Sequence, residues 1–329
     1  MNGIYMRRKI TATILKMPVV LLFILTFVTT IIILDHQKKE TLPADRVHEW
    51  LNMAASGVNP KASPSPEDEN IFCRDRYGEP MRREEVTLAG SFKKKKAFMT
   101  IGISTIKRKT KGSSASYLER TLNTHLKNLT DTQKEEILIV IFLADWEKEK
   151  RDSIQERLMK TFDMHIKNNT IKLIYAPKRF YSSLSGLPQN FNDTKKRVRW
   201  RSKQALDYAF LAYYCSGLGK YYFHLEDDLE SLSGFYKLIK DDLLSQAVMN
   251  YQWSIRRYGH MGFIGMLIKD EFLHGLADFW RLNYFEMPLD WSYMHFLGLL
   301  TRSGQEKDST IMRFRHIGRQ SSSLNDDVP

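Results

Sequence analysis

The chain has 329 residues, of which 43% are hydrophobic, and it carries a formal net charge of +12 at pH 7. This length suits one large domain with additional segments, and this apolar fraction supports a folded core. No basic motif interleaved with aromatic residues accompanies the positive charge, so we expect no nucleic-acid partner. Part of the excess positive charge lies in short runs of basic residues such as 93–96, which usually set membrane topology or stay solvated.

An uncharged apolar run covers residues 17–34 near the N-terminus. At 1.5 Å per residue a helix of this run spans about 27 Å, just enough to cross a bilayer. The basic residues before it are Arg7, Arg8, Lys9 and Lys16, with no acid among them. The positive-inside rule then predicts a cytoplasmic tail at 1–16 and a lumenal remainder, as in a type II signal-anchor. A cleaved signal peptide is the alternative, although no small-x-small cleavage site follows.

A polar, proline-rich tract at 59–66 marks the next segment. Such a composition buries too little apolar surface to fold alone, so we predict a stem at 35–90 and a lumenal domain at 91–329. Three Asn-x-Thr acceptor sequences agree with a lumenal location and make Asn128, Asn168 and Asn192 candidate glycosylation sites.

The two cysteines, Cys73 and Cys215, lie far apart in the sequence, the first within the predicted stem. They could pair with each other, or one could bond another chain. Two cysteines are too few to decide between these possibilities.

Strand and helix patterns alternate through the first part of the domain. Predicted strands cover 97–103, 136–145, 171–175 and 221–225, and predicted helices cover 116–126, 148–165 and 195–215. Alternation of this kind predicts an α/β fold with a mostly parallel sheet. After residue 228 the pattern changes to helices at 232–247 and 270–283 and strands at 252–255 and 261–268. We interpret this part as an acceptor-side extension of a Rossmann-like sheet.

Basic side chains at two places are candidates for phosphate binding. The loop after the first strand, 104–115, contains Lys107, Arg108, Lys109 and Lys111, at a position where α/β domains often receive a nucleotide phosphate. On the helix 195–215, Arg201 shares one face with Arg197 and Gln204. A basic surface loop and a solvated helix face are the respective alternatives. Asp145, at the end of a predicted strand, could contact a ligand or cap a helix.

Three acids, Glu226, Asp227 and Asp228, directly follow the aromatic strand 221–225. Open α/β sheets bind ligands at the carboxyl ends of their strands, so these acids are expected in a crevice. Adjacent carboxylates repel, and a hard divalent cation such as Mg²⁺ or Mn²⁺ removes that penalty. The run therefore predicts a metal site that holds a diphosphate. A solvated acidic turn that caps the next helix is the alternative.

Four segments in this order resemble the N-acetylglucosaminyltransferase IV family, which adds a β1,4-linked N-acetylglucosamine to the α1,3-mannose arm of N-glycans in the Golgi. They are 222–228 (Tyr-Phe-His-Leu-Glu-Asp-Asp), 263–266 (Phe-Ile-Gly-Met), 288–291 (Pro-Leu-Asp-Trp) and 315–322 (Arg-His-Ile-Gly-x-x-Ser-Ser). The resemblance implies a GT-A glycosyltransferase fold, UDP-N-acetylglucosamine as donor, Mn²⁺ as cofactor and inversion at the anomeric carbon. It also implies Golgi or endoplasmic reticulum membranes as the location.

By the same resemblance Asp228 contacts the metal, Asp227 contacts the donor, and His316 helps at the donor site. We place Glu226, the first acid of the run, at the donor site as well. Inverting transfer needs a carboxylate base near the acceptor hydroxyl, and Asp290 is the candidate. The family stretch around Asp-Trp carries a second Asp directly before the His, where this chain has Met294. A thioether cannot accept that proton.

Two functions remain open from the sequence, besides a third possibility, which is a lumenal glycan-binding protein without catalysis. One is an active inverting, metal-dependent transferase that acts on N-glycan acceptor glycoproteins with Asp290 as base. The other is a membrane protein with weak or no transferase activity that acts by binding other Golgi glycosylation enzymes. The chain resembles most a short divergent member of the family that inhibits N-acetylglucosaminyltransferase I, which favours the second function.

Overall fold

The computed structural model describes residues 70–91, 95–108, 117–249, 253–259, 263–300, 306–309 and 311–318. The predicted cytoplasmic tail at 1–16, the predicted anchor at 17–34 and most of the predicted stem lie outside these ranges. Within them, no helix combines the length and the hydropathy that a bilayer crossing requires. The anchor therefore stays a prediction.

Twelve strands and nine α-helices occur within the described ranges. The strands are β1 Ile71–Arg74, β2 Pro80–Arg82, β3 Thr87–Ala89, β4 Ala97–Thr105, β5 Ile137–Leu143, β6 Ile171–Ile174, β7 Gly219–Glu226, β8 Leu229–Ser231, β9 Ile255–Arg257, β10 Met266–Lys269, β11 Glu306–Asp308 and β12 Phe314–His316. The helices are α1 Arg83–Val86, α2 Tyr117–Lys127, α3 Asp131–Glu136, α4 Lys148–Thr161, α5 Asp163–Lys167, α6 Lys195–Cys215, α7 Phe235–Val248, α8 Asp270–Leu282 and α9 Leu289–Leu299.

Eight strands form one sheet in the order β11-β9-β10-β7-β4-β5-β6-β3. The four central strands β7, β4, β5 and β6 run parallel, and β11 is parallel to β9. Strand β10 is antiparallel to both β7 and β9, and β3 is antiparallel to β6. The predicted α/β class with a mostly parallel sheet is confirmed, and its antiparallel strands lie toward the two edges.

Burial explains the positions of the central elements. All seven residues of β5 are buried, as their continuous Ile, Leu, Val and Phe sequence predicts for a strand covered on both faces. Helix α6 begins where the Thr194 hydroxyl accepts a hydrogen bond from the Arg197 N–H at 3.2 Å. From Val198 onward most of this helix is buried. It therefore has the length and the apolar surface to cover the sheet.

The segment predicted as the end of the stem is folded. Strands β1 and β2 form an antiparallel pair, and β3 extends the main sheet beside β6. Arg83 secures this segment because its Nε donates to the Tyr214 carbonyl at 3.0 Å and its Nη2 to the Ser216 carbonyl at 2.6 Å. These bonds satisfy carbonyls at the C-terminus of α6. Residues 70–90, which the prediction placed in the stem, therefore belong to the folded part of the structure, and the rest of the predicted stem lies outside the described residues.

Cys73 belongs to β1, and Cys215 is the last residue of α6. Both are buried thiols without a disulfide. Burial raises the pKa of Cys73 to about 12, which disfavours the reactive thiolate. The two cysteines are therefore not paired with each other in this structure, and a bond from either one to another chain stays a prediction.

We expect a chain that begins at residue 91 to unfold at a markedly lower temperature than one that begins at residue 70. The shorter chain loses the buried side chains of Phe72, Met81 and Val86 and the hydrogen bonds of Arg83, together worth several kcal/mol. Thermal unfolding of both chains measures the difference, with Arg83→Ala as a point variant that removes only the bonds to α6. Equal midpoints would show that residues 70–90 are dispensable.

Candidate functional site

The acidic turn connects β7 to β8 at the carboxyl edge of the parallel sheet. Strand β7 ends at Glu226, level with the end of β4. The Thr105 hydroxyl donates to Asp227 Oδ2 at 2.6 Å. The Thr121 hydroxyl donates to the Asp227 carbonyl at 2.9 Å and accepts from the Leu229 N–H at 3.0 Å. Side chains from β4 and α2 thus fix the turn, so that the acids do not simply cap the next helix.

The C-terminal strand β12 brings a histidine to this turn. It pairs antiparallel with β8, with His316 opposite Leu229. The Ile317 N–H donates to the Asp228 carbonyl at 2.9 Å, and His316 Nε2 lies 3.4 Å from Asp228 Oδ2. Glu230 forms ion pairs with Arg315 and with a second arginine, Arg120. Residues far apart in sequence therefore build one cluster.

Glu226, Asp228 and His316 form an arrangement that fits a divalent cation. One ligand atom of each lies within 4.8 Å of the others. Asp228 is buried, and within the described part of the chain its Oδ1 has no hydrogen-bond partner. A methyl group at Gly318 would lie 2.1 Å from Asp228 Oδ2, so only glycine leaves this space open. The two carboxylates suit Mn²⁺ or Mg²⁺, whereas an imidazole is more typical of transition metals, so the set fits Mn²⁺ better than Mg²⁺.

One residue of the basic loop, Arg108, enters the cluster. Its Nη1 donates to Asp228 Oδ2 at 3.1 Å, and its Nη2 pairs with Asp227 Oδ1. Its guanidinium also lies over the Tyr117 ring at 4.9 Å. One residue of the predicted basic loop therefore lies at the carboxyl edge of the sheet. It contacts acids there, and its contact with a phosphate stays a prediction.

The remaining members of that loop have other positions. The backbone N–H of Lys107 donates to Asp145 Oδ2 at 2.7 Å. Asp145 thus holds the loop, whereas Glu147, the N-cap residue of α4, makes no side-chain cap. Lys109 and Lys111 lie outside the described residues.

Burial leaves the cluster partly protonated near neutral pH. It raises the pKa of Glu226 to about 7, and the negative charges of Asp228, Asp227 and Asp290 add to this shift. Burial also raises the pKa of Asp227 to about 6, against the opposing effect of the Arg108 guanidinium. A bound cation would favour the ionised carboxylates.

We expect Glu226→Gln to stabilise the cation-free protein more at pH 8 than at pH 5. The folded-state pKa of about 7 exceeds the ordinary value of 4.5, so the contribution of Glu226 to stability is lost as pH rises through 7. The neutral amide avoids this loss, on the order of 2 kcal/mol. Thermal unfolding in the presence of a chelator at both pH values measures the difference. If the unfolding midpoints of variant and wild type differ by the same amount at both pH values, the raised pKa of Glu226 is contradicted.

Arg201, a predicted phosphate contact, has different partners in the structure. Its side chain is buried, and it donates to Asp193 Oδ2 at 3.0 Å, to the Phe285 carbonyl at 3.1 Å and to Asn190 Oδ1. Arg197 also bonds Asp193, at 3.0 Å. Arg201 therefore connects a loop to the segment before α9. Its contact with a phosphate stays a prediction.

The candidate base Asp290 lies in the first turn of α9 and is exposed. Its charge contributes to the raised pKa of Glu226, so the carboxylate lies near the cluster. Met294 follows one helical turn later and is 51% exposed. Residues four apart share a helix face, so both side chains lie toward the same side. Of these two positions on the same face of α9, only position 290 carries a carboxylate.

The three candidate glycosylation sites differ in exposure. Asn168 and Asn192 are exposed. Asn128 is half-buried, and its amide nitrogen donates to the Ser231 carbonyl at 2.8 Å and to the Ser231 hydroxyl at 3.2 Å. Glycan attachment at Asn128 would disturb these two bonds, so Asn168 and Asn192 are the more accessible acceptors.

Comparisons with known proteins identify relatives of the chain. The sequence model described as the MGAT4 conserved region matches residues 80–326. Alpha-1,3-mannosyl-glycoprotein 4-beta-N-acetylglucosaminyltransferase C of Mus musculus is 36% identical over 71% of this chain and 48% of the relative. Alpha-1,6-mannosyl-glycoprotein 4-beta-N-acetylglucosaminyltransferase of Gallus gallus is 35% identical over 71% of this chain and 49% of the relative. The chain thus spans about half the length of these curated relatives.

Likeness to solved structures is weaker. A 4-diphosphocytidyl-2C-methyl-D-erythritol synthase from Anaerococcus prevotii aligns with a TM-score of 0.39 at 12% identity, over 65% of this chain and 86% of that one. This likeness is too distant to support an argument about function. The family match, in contrast, covers well over half of the sequence. The chain belongs to the MGAT4 family of N-acetylglucosaminyltransferases that branch N-glycans.

Proposed function

We propose that the chain has a GT-A glycosyltransferase fold and binds UDP-N-acetylglucosamine together with Mn²⁺ at Glu226, Asp228 and His316. The observation that carries this proposal is the buried Asp228, whose Oδ1 lacks a partner within the described ranges while a carboxylate and an imidazole lie close by. The cluster lies at the carboxyl edge of the sheet, where nucleotides bind in open α/β folds. A divalent cation there would supply positive charge to the diphosphate of the donor.

The residues of this chain have separate tasks at such a site. Asp228, Glu226 and His316 provide the oxygen and nitrogen ligands for the cation. Thr105 and the Thr121 hydroxyl hold the turn in place through Asp227. In the cation-free protein the Arg108 guanidinium pairs with both Asp227 and Asp228, and the raised pKa of Asp227 lowers the remaining negative charge, so the acids remain buried without a metal. The site is thus formed before the donor arrives.

The acceptor side of the site has few groups that could act as a catalytic base. Removal of a proton from an acceptor hydroxyl requires a carboxylate within hydrogen-bond reach. Asp290 is near the cluster, but the exposed position one turn later holds Met294, which cannot accept a proton. We therefore propose weak or no transferase activity, and a regulatory role in which the chain binds and inhibits N-acetylglucosaminyltransferase I. The similarity to a short divergent family member supports this role.

An active transferase is the second candidate function. The observation in its favour is that Asp290 is exposed and close enough to Glu226 to affect its pKa. In this case Asp290 would act as the base for β1,4 transfer from UDP-N-acetylglucosamine to a mannose of N-glycan acceptors.

One set of measurements separates these functions. Calorimetry of the full chain in detergent with UDP-N-acetylglucosamine, with and without Mn²⁺, tests donor binding. Product analysis with a biantennary N-glycan tests transfer, and the rate of N-acetylglucosaminyltransferase I with and without the chain tests inhibition. Cation-dependent donor binding with inhibition and without turnover supports the regulatory role. Turnover that Asp290→Asn abolishes supports the transferase, and absence of donor binding would contradict both.

We further propose a single-pass type II protein of Golgi or endoplasmic reticulum membranes. The basic residues before 17–34 and the exposed acceptors Asn168 and Asn192 support this topology. Sensitivity of the intact chain to an N-glycosidase, together with protection of its C-terminus from protease in sealed microsomes, tests the prediction. A C-terminus digested in intact vesicles would contradict it.

A further inference from the structure

Two large aromatic side chains, Phe191 and Trp291, are exposed next to each other. Phe191 is 53% exposed and Trp291 is 46% exposed. Their ring centroids lie 5.3 Å apart with an interplanar angle of 84°, an edge-to-face pair. Contiguous apolar groups on a surface often mark binding sites. The pair therefore indicates a binding site for a ligand that packs against aromatic rings.

The backbone around Phe191 is held in an unfavourable conformation. Phe191 has φ 54° and Asn192 has φ 56°. Asn tolerates the left-handed region, but a bulky aromatic residue there is a genuine outlier. Such strain persists only where the surroundings impose it, and it concentrates at binding sites. The chain thus maintains a costly conformation that leaves the Phe191 ring exposed.

Arg201 bonds the residues on both sides of this conformation. It is 1% exposed, and its guanidinium bonds Asn190 and Asp193, the residues on either side of the two strained positions. It also bonds the Phe285 carbonyl at 3.1 Å, in the segment that leads into α9. The same guanidinium lies 5.8 Å from the Phe191 ring centroid. One buried side chain therefore fixes the Phe191 loop to the segment that precedes Trp291.

The surroundings of the pair indicate the class of ligand. Trp291 follows Asp290, an exposed carboxylate near the acid cluster. Aromatic surface beside a few well-placed polar groups is typical of small-ligand sites. A sugar ring has an apolar C–H face that suits the aromatic rings and hydroxyl groups that suit the carboxylate. Two exposed rings offer far less area than the 800 Å² per partner of a stable protein interface.

We propose that Phe191 and Trp291 form a platform that binds a sugar ring of an oligosaccharide, with Asp290 accepting hydrogen bonds from its hydroxyl groups. Arg201 is a positioning residue for this platform. The identity of the oligosaccharide as an N-glycan rests on the proposed function, whereas the platform itself rests on the geometry above.

The first experiment titrates the full chain in detergent with a free biantennary N-glycan, in chelator and without donor, by saturation-transfer NMR. Trp291→Ala and Phe191→Ala should each weaken binding at least tenfold. Tyr77→Ala, which removes an exposed aromatic ring elsewhere, should not. Asn192→Gly removes the glycosylation acceptor and suits the left-handed backbone, so it should also leave binding unchanged. Thermal unfolding of each variant verifies its fold.

The outcomes separate the platform from the proposed function. A wild-type chain that binds UDP-N-acetylglucosamine with Mn²⁺ but no N-glycan would overturn the platform and leave donor binding intact. Glycan binding that survives both aromatic substitutions would also overturn it. Loss of N-acetylglucosaminyltransferase I capture in Trp291→Ala, with glycan binding unchanged, would assign the surface to a protein instead.

The second experiment tests the positioning role with Arg201→Lys, which keeps the charge but loses the planar fork of donors. Glycan binding should weaken severalfold, and cation-dependent donor binding should remain at the wild-type level. If donor binding falls and glycan binding does not, Arg201 contacts the phosphate and does not position the platform.

Discussion

Asp228→Asn should weaken the Mn²⁺-dependent binding of UDP-N-acetylglucosamine by about 100-fold or more. The amide keeps the shape of the side chain but removes the charge that would hold the cation. It also leaves a buried amide between the Arg108 guanidinium and His316. Calorimetry with the donor in excess Mn²⁺ measures the affinity, and titration with Mn²⁺ alone measures the cation site independently of the nucleotide.

Two further variants make this result specific. Gly318→Ala leaves every ligand in place but directs a methyl group at Asp228, so it should produce a similar loss of affinity. Asp290→Asn removes a neighbouring carboxylate that is not one of the three proposed cation ligands, and it should keep donor affinity. If all three variants bind the donor like the wild type, the acid cluster is not the donor site.

Met294→Asp should increase transfer from UDP-N-acetylglucosamine to an N-glycan acceptor by 10²- to 10⁴-fold, the usual contribution of a general base. Met294 is half exposed on the face of α9 that also carries Asp290, so a carboxylate fits there without repacking. Initial rates with saturating donor and Mn²⁺ measure the effect, because a base changes the chemical step rather than donor affinity.

The matched control is Met294→Asn, which introduces the same shape without a group that accepts the proton, and it should stay at the wild-type rate. Adding Asp228→Asn to Met294→Asp should remove the gained activity. Equal rates for the Asp and Asn variants would show that position 294 does not supply the base. A wild type that already turns over rapidly would instead favour Asp290 in that role.

The long, buried helices and strands could be predicted from the sequence. The predicted strand at 136–145 contains β5, and the predicted helix at 195–215 has the observed limits. The helix predicted at 148–165 is two helices, since Phe162, with φ −119° and ψ 22°, leaves the helical conformation between α4 and α5. Strands β1 to β3 have only three or four residues, too few for a recognisable alternation, and they depend on pairing and on Arg83.

The candidate site was predictable only in part. The acids at 226–228 form a local run, and the family motif indicated His316. The threonines that hold the turn, Thr105 and Thr121, carry no sequence signal beyond their place at the end of a strand and within a helix. The spacing of Arg201 indicated which helix face it occupies but not its partners. One of these, Phe285, lies 84 residues away in sequence, and only tertiary packing brings it near.

The pairing of β12 with β8 has a consequence for inherited variants of this chain. His316 and Gly318 reach Asp228 from the last described segment, and Phe314 packs against the core rings of Phe223 and Phe235. A nonsense or frameshift allele that ends translation before residue 314 would keep every central strand of the sheet. Its product would nevertheless lack the imidazole ligand and expose apolar rings, so we expect quality-control degradation rather than a partly active protein.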